Sequence, residues 1–571
     1  MRPRPHRFSV PVFVLALFAV MAGVSAHAEP TAKSSTAPAS QAELDADTLY
    51  DILVGEMAAQ RGQMAQAADA LNRAARRTRD PRFAERATLA TLAAKRYADA
   101  ERAAQLWIEL QPANPEAREA LAIALLELDR PQHAAVQLAL VLKGEMSSAS
   151  LETAYLRLAS VLGRASNRTA ALTLMQELVK QHPELAAGHF ALAHLAVRAG
   201  DLETAETAAD RALARKPDWQ DAALFKARIL VSRNQAAQAQ RYFEEFLKAH
   251  PSATHMRLHY ARHLIDQKQW EQAREQFKRV AIDTPEDVDA VYAVGLLALQ
   301  TNRLDEAEVF LKRALDMRPD NEQARVYLGQ AAEQGKRYAE AARWYREVGA
   351  GEHFFESQVR LGIVIAKQGD VAKARAHLRA IAAESDPQRV QALLAEEQIL
   401  RDARQYREAL DMLNAALERM PADKDLRYAR ALIAERLDMI PLAESDLRAV
   451  LKVDPKNVHA LNALGYTLAD RTDRYAEAQV LLTQALEIKP DDPFVLDSMG
   501  WLLYRQGNRA EAIKHLKRAL TVRSDAEIAA HLGEVLWVSG ERNEAESVWT
   551  RALRDTPDSE ALRDVIKKFK P

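Results

Sequence analysis

Three histidines, His255, His259 and His263, recur every four residues with His250 just ahead of them, and this row is the chain's nearest approach to a chemical site. Side chains four apart stack on one face of a helix, so His255 and His259 are candidate ligands for a transition metal. Each step of four also turns the helix by about 40°, which spreads the row, and no cysteine or carboxylate joins it at ligand spacing. The competing reading is a polar helix that lines a groove. A second candidate, Gly329 to Arg337 (GQAAEQGKR), approaches a phosphate loop, but its glycines stand one residue too far apart and no Ser or Thr follows the lysine. The sequence carries no G-x-S-x-G elbow, no H-E-x-x-H and, with no cysteine at all, no thiol nucleophile. The expectation is a protein that is not an enzyme and needs no cofactor.

The elements that position these residues are set by a repeat. Alanines stand at 67, 100, 134, 171, 205, 239, 273, 307, 341, 374, 409, 443, 478, 512 and 545, almost all 33 to 35 residues apart. Such a period is that of a helix–turn–helix unit stacked on copies of itself. About twelve positions before most of these alanines comes another small residue, among them Gly55, Ala193, Ala227, Gly329, Gly465, Gly500 and Gly533. Small residues at both places let paired helices approach closely, near the short end of the usual 8–10 Å separation. Twelve positions after the marker a proline is common, as at Pro112, Pro251, Pro319 and Pro490. Proline lacks the amide that would continue a helix, so it ends one and can open the next.

Bulk properties agree with a helical array. The 571 residues are 48% hydrophobic, 28% charged and only 6% aromatic, and the formal net charge is −2. That balance gives no reason to expect nucleic acid or an anionic membrane as a partner. At the amino terminus, Arg2, Arg4 and Arg7 precede an apolar stretch from Val12 to Ala22 and a small-x-small site at Ala26-His27-Ala28. This pattern predicts an export signal over residues 1–28, cleaved after Ala28 or retained as an anchor. Without cysteine no covalent lipid anchor is expected, which points to a periplasmic or secreted protein. Residues 29–43 read as a Ser/Thr/Pro-rich spacer.

Spacing, small residues and prolines together resemble the tetratricopeptide repeat family, and Arg474-Tyr475-Ala476-Glu477-Ala478 through Ala485-Leu486-Glu487-Ile488-Lys489-Pro490 lie near its consensus. The resemblance implies an all-α, right-handed α-solenoid of about fifteen helix pairs. The expected blocks are residues 44–142, 151–349 and 350–557, closed by a capping helix over 558–571 with Leu562, Val565, Ile566 and Phe569 inward. Longer or glycine-rich connections are expected at Lys143–Ser150 and Gly349–Gly351. Glu397 falls where a small residue should be, so the register there is expected to slip to Ala395.

In this family the first helix of each pair lines the concave side, and the residues three before and one after the small position point into it. These pairs include Phe190/His194, Leu224/Arg228, Leu258/Arg262, Asn462/Tyr466, Asp497/Trp501 and Ala530/Glu534. They lack the Lys and Asn of a carboxylate clamp. Asn462, Tyr466, Asp497, Trp501 and Glu534 become the candidate protein-binding residues, with the Trp501 indole either facing the groove or packed on the neighbouring first helix. The passages Asp491–Trp501 and Asp525–Trp537 also resemble a narrower group of proteobacterial envelope proteins. Its best understood member is the adaptor of a carboxyl-terminal processing protease, to which it brings cell-wall hydrolases. The resemblance implies a periplasmic scaffold for a protease and its substrates. Polysaccharide or cell-wall assembly is the alternative, and a small-molecule ligand is not expected.

Overall fold

The computed structural model describes residues 45–145 and 147–570; the expected export signal and spacer lie outside them. Among the described residues there are thirty-one α-helices, numbered here α1 (Ala46–Gln60) to α31 (Glu560–Phe569), and no β-strand. They belong to two compact units, residues 45–302 and 303–570. The division falls inside the stretch that the sequence reads as one central block.

Why these residues make helix pairs is visible at the markers. All fifteen repeating alanines are at most 1% exposed, so each sits at a helix contact where any larger side chain would collide. The glycines twelve or thirteen positions upstream complete that contact. A methyl group built on Gly465 would lie 2.7 Å from Leu482 Cγ, and one on Gly500 would lie 2.7 Å from Leu516 Cγ. In both cases the obstructing residue stands four after the marker. The tight turn that reverses the chain has its own rule. Five residues before a marker the backbone is left-handed, at Lys95, Asp129, Asn234, Lys268, Asn302, Lys336, Arg404 and Asp438 as well as at Gly200 and Gly507. That conformation strains an L side chain, and the fold tolerates it because the turn length is fixed by the helices on either side.

The prolines end helices as expected, and several acquire a cap. Arg118, Arg257 and Arg325 each donate from Nη2 to the carbonyl of the proline six residues before them, Pro112, Pro251 and Pro319, at 2.7–2.9 Å. Arg427 and Arg563 do the same to Pro421 and Pro557. A carbonyl left without a helical partner at the end of one repeat is thus satisfied by the first turns of the next.

The departures from the repeat are seen directly. Ser147 caps α7 (Ser148–Leu162) in a reciprocal box with Ser150, which closes the longer connection. Gly349 donates its amide to Glu322 Oε2 at 2.9 Å, which fixes the glycine-rich link. Where the sequence expects a slip to Ala395, both Ala395 and Glu397 are buried on α21 (Asp386–Asp402). Burial pushes the Glu397 carboxyl up to about 7, opposed by Arg401 at 3.3 Å. The last helix, α31, caps the array: Leu562 is fully buried, while Phe569 stacks on Trp549 and lies at an angle to Trp537.

Candidate functional site

The five residues nominated from the sequence occupy three consecutive first helices of the 303–570 unit. These are α25 (Val458–Arg471), α27 (Pro493–Arg505) and α29 (Ala526–Val538), each packed on the next. Residues four apart on each helix fall on the shared inner face, giving Asn462, Tyr466 and Asp470 on α25, and Asp497, Trp501 and Arg505 on α27.

Three aromatic and carboxylate groups meet at His531. Its Nδ1 donates to both oxygens of Asp497, at 2.9 and 3.1 Å. The Trp501 ring stacks on the imidazole with centroids 4.4 Å apart, and Tyr466 lies 6.2 Å away on a near-parallel plane. Trp501 Nε1 donates to Asp470 Oδ1 at 3.0 Å, and Arg505 Nη1 donates to the Asp470 carbonyl at 2.7 Å. Trp501 is therefore fixed at its edge by α25 and over its face by α29, so the packed arrangement is the one observed. Glu534 is buried too, where it accepts from Lys568 Nζ at 2.9 Å and from the Tyr504 hydroxyl at 3.4 Å. Asn462 keeps a free group: its Oδ1 is buried with no hydrogen-bond partner among the described residues.

Electrostatics make His531 the titrating member. Burial opposes its charge, yet Asp497, through charge and hydrogen bond, and Glu527 hold its pKa above the ordinary 6.5. A raised histidine contributes stability that is complete below its unfolded pKa and disappears as pH rises through the folded one. The stability advantage of the wild type over Asp497→Asn should therefore be largest near pH 6 and shrink as the pH is raised above 6.5. Thermal unfolding of both proteins across that range checks it; a pH-independent difference contradicts it.

His531, Asp470 and Arg505 were not nominated. His531 stands two, not three, before its small residue, and the other two stand five after theirs, so a two-position groove rule passes over them. The histidine row resolves differently. His255 is exposed, His259 is half-buried, and His263 is buried with Nε2 3.2 Å from the Ala236 carbonyl. Among the described residues no group of three or more His, Cys, Asp or Glu side chains is arranged to hold a metal ion.

Known proteins bear on this architecture. Family models for the tetratricopeptide repeat match residues 156–222, 260–322, 440–493 and 498–563, and a second such model matches residues 298–360. Together they take in about half of the chain, and the marker alanines between them keep the same burial. The chain is a tetratricopeptide repeat protein. A model for subunit 3 of the anaphase-promoting complex, cyclosome, also matches residues 198–280. Over 211 residues the chain is 42% identical to the TPR repeat-containing protein PA4667 of Pseudomonas aeruginosa, covering 37% of this chain and 36% of that protein. A 154-residue stretch is 23% identical to the mouse protein O-mannosyl-transferase TMTC1, covering 26% of this chain and 16% of that one. These matches span about a third or less of the relatives' own length. Among solved structures, a tetratricopeptide repeat protein from Parabacteroides merdae aligns over 50% of this chain and 99% of its own, at 17% identity and a TM-score of 0.34. Tetratricopeptide repeats mediate contacts between proteins, and that much describes this chain.

Proposed function

We propose that this protein is an exported, non-catalytic adaptor that holds protein partners along the inner faces of its repeats. The partners proposed are a carboxyl-terminal processing protease and the cell-wall hydrolases it degrades. The observation that carries the reading is the succession of helix pairs within each unit, which commits the described residues to stacked repeats and the surfaces they present. Supporting it are the export-type amino terminus, the passages around Trp501 and Trp537 that resemble the envelope adaptor group, and the likeness to PA4667 over more than a third of the chain.

The polysaccharide alternative drew on an indole open for stacking against sugars. His531 covers one face of Trp501, which leaves that reading with less to stand on. The adaptor reading is tested by in-cell crosslinking of the tagged protein in its native host, followed by mass spectrometry. Discrete envelope proteins, a protease among them, are expected; recovery of nothing above an untagged control overturns it.

A further inference from the structure

Chain-wide charge balance conceals a local imbalance in the 45–302 unit. Just past the end of α7 and along α9 (Ala186–Ala199), α11 (Gln220–Ser232) and α13 (Thr254–Asp266) stand Arg164, Arg198, Arg228 and Arg262. All four are exposed, and among the described residues none of their guanidinium groups has a hydrogen-bond or ion-pair partner. Elsewhere the arginines of first helices are commonly tied down: Arg157 bonds Glu119 at 2.7 Å, and Arg430 bonds Asp446.

Two of the charges share a cavity, and the other two follow on the next first helices. Arg164 and Arg198 line a cavity of about 450 Å³ together with Ser160, Phe190 and His194. His194 stacks on Phe225 with centroids 4.0 Å apart, and Phe190 meets Phe225 and Trp219 edgewise or tilted, so the two rings that line the cavity are packed against their neighbours. Arg228 stands on the next first helix, α11. After burial, its charge is what depresses the pKa of His194, and with Arg262 it does the same to His259. Like charges on one side of the unit without counter-ions repel one another, and a bound anion would relieve that repulsion.

We infer that this side of the unit binds an extended acidic segment of a protein partner, its carboxylates pairing with Arg164, Arg198, Arg228 and Arg262. The inference rests on the adaptor reading in taking the partner to be a protein. Guanidinium forks match carboxylates in two-point contacts, which fits arginine where lysine could have served. Packed helices stand about 8–10 Å apart, roughly one three-residue turn of polyproline II chain, so an acidic side chain at every third position meets successive arginines. Nucleic acid is the less favoured polyanion. The rings here already pack on one another, and a formal net charge of −2 supplies no wider basic field.

Fluorescence anisotropy of the full chain with a labelled peptide tests the inference. The probe is about twelve residues long, carries Glu at every third position and Ser elsewhere, and ends in an amide so that no terminal carboxylate contributes. Binding at low salt is expected, weakening as salt screens the pairs, and falling about tenfold in Arg198→Gln/Arg228→Gln. Arg241→Gln on the second helix α12 (Ala236–Ala249) should bind like the wild type, and thermal melts should show all variants folded. Equal affinity for the Gln-for-Glu peptide, or wild-type affinity in the double variant, overturns the inference. So does a single-stranded DNA of equal charge that binds more tightly through the same arginines. If the peptide fails while in-cell crosslinking still yields discrete proteins, the adaptor reading stands and this inference alone falls.

Discussion

Asp446→Ala should destabilise the 303–570 unit by about 3–5 kcal/mol, the range for removing one partner of a buried ion pair. Asp446 lies on α24 (Ile440–Val453) with its side chain 1% exposed. Arg430 Nε and Nη2 donate to its two oxygens at 2.7 and 2.8 Å, Arg427 Nη1 donates at 3.3 Å, and the third Arg430 nitrogen is bound by Asn414 at 2.8 Å. One carboxylate thus joins α23 (Lys424–Arg436) to α24, while its arginine reaches back to α22 (Tyr406–Arg419). Removing it strands a half-buried guanidinium with one polar partner less than it needs. Because repeats are stabilised through their neighbours, the damage should appear as an early local transition and not as uniform softening. The Asp446→Leu/Arg430→Met double variant should lie much closer to the wild type, since apolar replacement of both partners removes the stranded charge. Urea unfolding followed by circular dichroism measures both; a loss under about 1 kcal/mol for Asp446→Ala contradicts this account.

The second large effect comes from adding a single carbon. On Gly329, a methyl group would lie 2.7 Å from Cδ1 and 2.8 Å from Cζ of Tyr345, a fully buried ring whose hydroxyl donates to Glu333 at 3.1 Å. On Gly533 it would fall inside the ring system of Trp549. Alanine gains about 1 kcal/mol over glycine in a helix, while overpacking a core costs about 1–3 kcal/mol or more. The rings are held in place by their surroundings and cannot retreat, so the cost should win at both positions, most at Gly533. Gly329→Ala should therefore lower the unfolding temperature on its own, and adding Tyr345→Leu should recover part of the loss. A stabilised Gly329→Ala protein would contradict the packing argument.

The sequence made the packing legible because packing in an array is periodic. A marker alanine, its upstream glycine and its downstream proline recur with the repeat, and each recurrence corrects misreading of the last. Turn geometry was equally periodic but hidden, since Lys95, Asp129, Asn302 and Arg404 share a left-handed backbone without sharing a side-chain type. The polar clusters resisted reading for another reason. His531 and Asp497 are 34 residues apart and meet only because α27 and α29 stack, so no local motif marks their hydrogen bond. Glu397 looked like a break in register, whereas the fold buries it beside Arg401. Composition was least informative about these arginines, because a sum over the whole chain cancels four unpaired cations in one unit against carboxylates elsewhere.

In-cell crosslinking resolved by position tests the central claim, that partners are held on the inner faces of first helices. A photoreactive residue is placed singly at Leu156, Leu224 or Leu258, and separately at Arg241 or Lys278 on second helices. The account predicts crosslinks to the same discrete protein from the first three positions and none from the last two. Crosslinks of equal yield from both sets, or from the second helices alone, would contradict it.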